Sequence, residues 1–216
     1  MIRVRLFFQR YFSPQPEGHS KSLLAMSNTI TSPEFFEAKY QREPDPWSFA
    51  SSSYELQRYA AIVGSLGSRT FQRAFEPGCS IGVLTEKLAV LCKHVEALDV
   101  SVTAGKAAIQ RCRHLKNVDI RIGSLASDTS AHSFDLLVLS EIGYYFEAAT
   151  LTAIGNGLAS RLVRGGVLLG AHWLGSSADH LLSGDQVHEI LNGLPGLTVS
   201  FAELHSGFRI NHWTKQ

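Results

Sequence analysis

From residue 33 onward, apolar and polar positions recur with a regularity that the first 32 residues lack. Ser32 can cap a helix, and Pro33 suits its first position because the N–H that proline lacks has no intrahelical partner there. PEFFEAKYQR follows, and Asp45-Pro46-Trp47 breaks it. Ser51 to Ser53 can cap a second helix, YELQRYAAIVGSL, with apolar residues at helical spacing. Strand-like and helix-like runs then alternate. RAFEP leads into VLTEKLAVLC, and HVEALDV into TAGKAAIQRC. NVDIRIG is followed by a loop, FDLLVLSE by a helix near ATLTAIGNGLASRL, and GGVLLGAHW by GDQVHEILNGL. Two consecutive strands, LTVSFAEL and FRINHWT, close the chain through Ser206-Gly207. The pattern predicts an α/β fold: a mostly parallel, seven-stranded sheet with helices on both faces, a C-terminal antiparallel hairpin and a small N-terminal helical cap.

Composition narrows this little. The chain has 216 residues, 44% hydrophobic and 18% charged, enough for one well-buried domain, read as residues 33–216 with its cap at 33–70. A net charge of +1 gives no field that would recruit nucleic acid or a membrane, so a small-molecule substrate is expected. No apolar run approaches the roughly 20 residues that cross a bilayer. Cys79, Cys92 and Cys112 are odd in number and match no zinc spacing, which suits the reduced thiols of a cytoplasmic protein. His172, Asp179, His180, Asp185 and His188 lie close together without forming H-E-x-x-H, and no metal is expected. The opening MIRVRLFFQRYF is basic and aromatic, and Arg3, Arg5 and Arg10 interrupt any secretory segment. A flexible tail over residues 1–32, or a native start near Met26, is favoured over a membrane-touching segment.

The chemistry concentrates in FEPGCSIGVLTEKLA, Phe75 to Ala89: strand, acid, Gly-rich turn, helix. Glycine lets a backbone pass close to a ligand, and the helix start turns free N–H groups toward the same place. Glu76 before Gly78 and Gly82 gives acid-x-Gly-x-x-x-Gly, which resembles the first motif of class I S-adenosylmethionine (SAM) methyltransferases more than a dinucleotide-binding G-x-G-x-x-G. Ser80 lies in this turn with Cys79, which is read as packing or backbone rather than as a nucleophile. In parallel sheets ligands bind beyond the carboxyl ends of the strands. There the second strand offers Asp99 and Val100, the third Ser124 and Leu125, the fourth Ser140 and Glu141, the fifth His172 and Trp173. Asp99 can accept from ribose hydroxyls or act as a helix N-terminal acid, and the Gly loop favours the first role. In SEIGYYF, Glu141 could orient or deprotonate an attacking amine or hydroxyl. Tyr144 and Tyr145 could stack on adenine or on a sugar, with one of the two expected to be packing. His172 is open between a site base or donor and a structural imidazole.

Together, EPGCSIGVLTEKLA, LDVS, FDLLVLSEIGYYF and GGVLLGAHW resemble the nodulation protein S family of methyltransferases, as do DPWSF-x-x-S-x-YE and SGDQVHEIL. The likeness runs from about residue 34 to the C-terminus. It implies the class I methyltransferase fold, SAM as cofactor, and methylation of the free amine on the terminal, deacetylated glucosamine of a chitooligosaccharide. It maps Glu76, Gly78, Ser80, Gly82, Asp99 and Glu141 to the SAM side, with Cys79, Val100, Ser124, Leu125, Ser140 and Tyr145 beside them. Trp47 and Arg58 would close over the cofactor. Arg58 would pair with the methionine carboxylate, or else is a solvated helix arginine. Glu141, His172 and Tyr144 are the candidates for the acceptor side. Ser124 departs from the Asp that many such enzymes use toward the adenine amine. The runner-up is an O- or N-methyltransferase of another small metabolite, since fold does not fix substrate. An NAD oxidoreductase is disfavoured by Glu76, the missing third Gly and the antiparallel tail. A nucleic-acid methyltransferase is disfavoured by charge and by Asp45-Pro46-Trp47, which lacks the second Pro of D-P-P-Y and precedes the Gly loop. A non-catalytic binding module is disfavoured by the intact loop and acids.

Overall fold

A computed structural model of the chain describes residues 32–128 and 132–216, so the expectations for the N-terminal tail fall, Ser32 apart, outside the described residues. Helix α1 (Pro33–Arg42) starts as expected: the Ser32 hydroxyl accepts from the Phe35 N–H at 3.3 Å, with Pro33 in the first turn. Asp45 ends the segment by accepting from the N–H groups of Phe49 and Ala50. Helix α2 (Ser53–Ser65) follows. The βα units are β1 (Ala74–Pro77), α3 (Val83–Leu88), β2 (Val95–Asp99), α4 (Val102–Cys112), β3 (Val118–Ile122), β4 (Phe134–Ser140), α5 (Ala148–Arg161), β5 (Leu162–Trp173) and α6 (Gly184–Asn192). The hairpin is β6 (Leu197–Leu204) and β7 (Phe208–Lys215).

The strand order is β3-β2-β1-β4-β5-β7-β6, with β1 to β5 parallel and β7 antiparallel to both neighbours. The apolar run of β4 explains the layering. Leu136 and Val138 pack into one cluster with Ile62, Leu84 and Ile210. Leu137 and Leu139 pack into the other with Leu158, Leu191 and Trp213. A strand buried on both faces reads as continuous hydrophobicity.

Two boundaries differ from expectation. α3 stops at Leu88, short of the expected Cys92, because the chain turns there to let Phe71 pair with Cys92 in a β-bridge. β5 starts at Leu162, where Leu162 pairs with Phe134 across a register shift. Helix α1 lies over the carboxyl ends of the strands. Glu37 accepts from the Ser101 hydroxyl at 2.6 Å and from the Thr103 N–H and hydroxyl at 3.0 and 2.6 Å, at the start of α4. These donors, Ser101 foremost, hold its carboxyl down at about 2. Among the described residues no helix is long and apolar enough to cross a membrane.

Candidate active site

The carboxyl ends of β1 to β5, roofed by α1 and α2, enclose a cavity of about 550 Å³. That is within the range of roughly 300–1,000 Å³ found for small-molecule sites. It has two chemically different ends.

At the first end the chain turns from β1 into α3. Gly78 (φ 73), Ser80 (φ 52) and Gly82 (φ 80) are left-handed. The glycines are demanded by protein neighbours: a Cβ on Gly78 would overlap the Ile142 side chain, and one on Gly82 would press on the Ala108 backbone. The turn is tied down by Asp99, which accepts from the Ser80 N–H at 2.7 Å and the Ser101 N–H at 2.9 Å. From above, the Tyr40 hydroxyl meets the Ser80 hydroxyl at 2.5 Å. Both acids here are deeply buried. Burial pushes Asp99 up to about 6. Burial also pushes Glu76, whose one side-chain donor is the Thr85 hydroxyl at 2.6 Å, up to about 8. Leu98, Val100, Leu125 and Ile142 add an apolar wall beside Ser124. The Ser124 hydroxyl accepts from the Ala126 N–H, so it also caps the short turn after β3. Cys79 lines the wall as a buried, free thiol, and burial raises its pKa well above the ordinary 9.0.

The second end is built around Arg58, which is 0% exposed. Its Nε and Nη2 donate to Glu55, and its Nη1 reaches Glu141 Oε1 at 2.8 Å and Ser140 Oγ at 3.5 Å. It is no solvated helix arginine: two carboxylates share one guanidinium at the cavity wall. Glu141 sits in the left-handed region (φ 59), a strained choice for a residue with a Cβ. Its Oε2 accepts from the Tyr144 hydroxyl at 2.7 Å and its Oε1 from the Trp173 N–H at 2.7 Å. Burial raises its pKa, opposed first by Arg58 and then by those donors.

Trp47, Tyr144 and Tyr145 all line the cavity, and Tyr145 meets Phe36 of α1 edge to face at 4.9 Å. His172 does not line it. Its ring is fully buried behind the turn that carries the tyrosines (Gly143–Tyr145). The Gly143 N–H donates to His172 Nε2 at 3.2 Å, which fixes the proton on Nδ1. Nδ1 then donates to His188 Nε2 at 3.1 Å, and His188 Nδ1 donates to Asn211 Oδ1 at 2.7 Å. Burial, then His188, lowers the His172 pKa well below 6.5, so this chain of rings is neutral. His172 therefore holds the turn and stands away from any acceptor in the cavity, because the Gly143 backbone and Tyr144 lie between.

Four cavity residues escape a reading by strand ends. Glu55 and Tyr40 lie on helices. Glu55-x-x-Arg58 spacing was legible as an i,i+3 pair, but its burial was not. Tyr54 lines the cavity and donates its hydroxyl to the Gly207 carbonyl at 3.1 Å, docking α2 on the hairpin turn. His180, in the loop after β5, stacks on Tyr144 with centroids 3.7 Å apart.

The sequence model of the nodulation protein S family matches residues 36–178. The nodulation protein S of Sinorhizobium fredii is 30% identical over 158 residues, 68% of this chain and 71% of that protein. That of Rhizobium tropici is 35% identical over 132 residues, 58% of this chain but 53% of its own length. Among solved structures, the N-methyltransferase NodS of Bradyrhizobium japonicum WM9 in complex with S-adenosylhomocysteine (SAH) superposes with a TM-score of 0.74. The match covers 87% of this chain and 98% of that one at 24% identity. The fold is that of the class I SAM-dependent methyltransferases, and the chain belongs to the nodulation protein S family.

Proposed function

We propose that this member of the nodulation protein S family is a SAM-dependent N-methyltransferase. Its acceptor is the free amine of an amino sugar, such as the deacetylated terminal glucosamine of a chitooligosaccharide. The observation that carries the amine is the cluster in which Glu55 and Glu141 share Arg58. Two carboxylates against one guanidinium leave an excess negative charge at the wall, which suits an ammonium and repels a phenolate or carboxylate acceptor. Trp173 beside it, partly exposed, offers an amphipathic face on which a sugar can pack.

The first end of the cavity fits SAM by the chemistry of its donors and acceptors. Asp99 and Glu76 are buried acids with lone pairs left for hydrogen-bond donors beyond Ser80, Ser101 and Thr85. Ribose hydroxyls at Asp99 and an amino-acid ammonium near Glu76 would supply them. The apolar wall of Leu98, Val100, Leu125 and Ile142 suits the adenine ring, with the Ser124 hydroxyl at its edge. The sulfonium supplies an activated methyl group, so the protein's task is placement and exclusion of water. Arg58 holds Glu141 and Glu55 in place, and those two carboxylates occupy the guanidinium that a methionine carboxylate would need. Glu141 holds the ammonium, and Tyr144 orients Glu141. His172 acts through Gly143 as a positioning residue.

The test is SAH release from SAM by the purified protein across glucosamine oligomers, amino sugars and small phenols. Turnover confined to the amines is expected. Methylation of phenols with none of glucosamine oligomers would overturn the amine reading in favour of an O-methyltransferase.

A further inference from the structure

Resting on that reading, we propose that His180 is the catalytic base that takes the proton from the acceptor ammonium. The Glu55–Arg58–Glu141 cluster supplies an anion to hold the ammonium and no group free to deprotonate it. Glu141 already accepts from Arg58, Tyr144 and Trp173. His172 is outside the cavity, with both ring nitrogens engaged. His180 is the cavity-lining imidazole, and among the described residues neither of its ring nitrogens has a hydrogen-bond partner.

Its position is enforced. The ring lies flat on Tyr144, 3.7 Å between centroids and 15° between planes, and Tyr144 is the residue whose hydroxyl bonds Glu141. It meets Tyr145 edge-on at 5.2 Å and Trp173 at 6.1 Å. The loop is pinned on both sides of the ring. Asp179 pairs with Lys39 of α1 at 2.8 Å, and the Leu181 N–H donates to the Tyr144 carbonyl at 2.8 Å. The ring is fixed by stacking while its nitrogens carry no protein hydrogen bond among the described residues.

The protonation state suits the task. Partial burial lowers the His180 pKa below 6.5, Asp179 opposes that, and Lys39 adds to it. The other titratable groups around it are Tyr144 and Tyr145, both pushed up by burial and neutral, Glu141 across Tyr144, and neutral His172 behind it. The imidazole is therefore neutral at pH 7 and can accept. In the step, an ammonium N–H bond breaks, its electron pair stays on nitrogen as the nucleophilic lone pair, and the proton passes to His180. The imidazolium, partly exposed, returns the proton to water.

The test compares wild type, His180→Phe and His180→Ala with glucosamine oligomers as acceptor, following kcat against pH and SAH affinity by calorimetry. Phe keeps the stack on Tyr144 and removes the nitrogens. Expected for His180→Phe is SAH affinity within a few fold of wild type, with kcat down on the order of 10²-fold near pH 6.5, recovering as pH rises toward 9. Free imidazole should restore part of the rate of His180→Ala. An unchanged pH profile in His180→Phe, or equal losses at every pH without imidazole rescue, overturns the base assignment and leaves the amine reading standing. If the wild type methylates no amine in the panel, the amine reading fails and the assignment falls with it.

Discussion

The two ends of the cavity are built by opposite strategies. The Gly78–Gly82 end comes from one contiguous stretch, closed by an acid at the next strand end, and its bonds run mostly between side chains and nearby backbone. The Arg58 end takes Glu55 and Arg58 from α2, Glu141 from the end of β4, Tyr144 from the turn beyond and His180 from the loop after β5. Its i,i+3 pairs, Glu55 with Arg58 and Glu141 with Tyr144, are joined by contacts distant in sequence, Arg58 to Glu141 and Tyr144 to His180. The first end can tolerate loss of one side chain, because the turn persists. The second is a coupled unit, where removing one member leaves others buried and unpaired.

That contrast can be broken most forcefully at Arg58. Arg58→Met should destabilise the protein by roughly 3–5 kcal/mol in urea denaturation, the usual cost of leaving a buried charge without its partner. A loss below about 1 kcal/mol would mean that the cluster does not act as a unit. Glu141→Gln should come next, lowering turnover on the order of 10²-fold while SAH affinity stays within a few fold. A comparable fall in SAH affinity would erase the distinction between the ends.

At the first end, Asp99→Ala should weaken SAH binding by about 1–3 kcal/mol in calorimetry, the worth of hydrogen bonds to a charged group. Unchanged affinity would remove the ribose role. Glu76 adds a pH test. Its folded pKa, about 8, lies above the ordinary 4.5, so the folded state holds this proton more tightly than the unfolded one. Stability from this group is complete below pH 4.5 and lost as pH rises through 8. Glu76→Gln should flatten the stability–pH curve across that window, and an unaltered slope would show the carboxylate to be well solvated. The smallest effect belongs to the link between α1 and the His180 loop. Lys39 and Asp179 are partly exposed, at 29% and 15% side-chain accessibility, so Lys39→Ala should cost at most about 1 kcal/mol in stability. A larger loss in kcat than in stability would show that the link positions His180.

How much could be read before the structure follows the same division. The order of elements was legible because its signals are local: the Ser32-Pro33 start, the Asp45 turn and the apolar run of β4 act through backbone preferences and burial period. Shortening α3 to Leu88 was not legible, because it depends on Phe71 reaching Cys92. Gly78 suits a turn that approaches a ligand, and in the structure its missing Cβ makes room for Ile142, 64 residues on. His172 looked like a site residue because it ends a strand, yet its proton is directed to His188 and Asn211 on other elements.

Neighbouring residues were enough to specify the sheet, the strand ends where a ligand could lie, and the acid-and-glycine turn at one of them. They were enough because strand alternation, caps and left-handed turns are written locally. Long-range packing, by contrast, places Arg58 between two glutamates, turns His172 away from the cavity and sets His180 on its wall. Burial, pairing and ring stacking depend on which distant segments share a space, and no local pattern encodes the charge state that results.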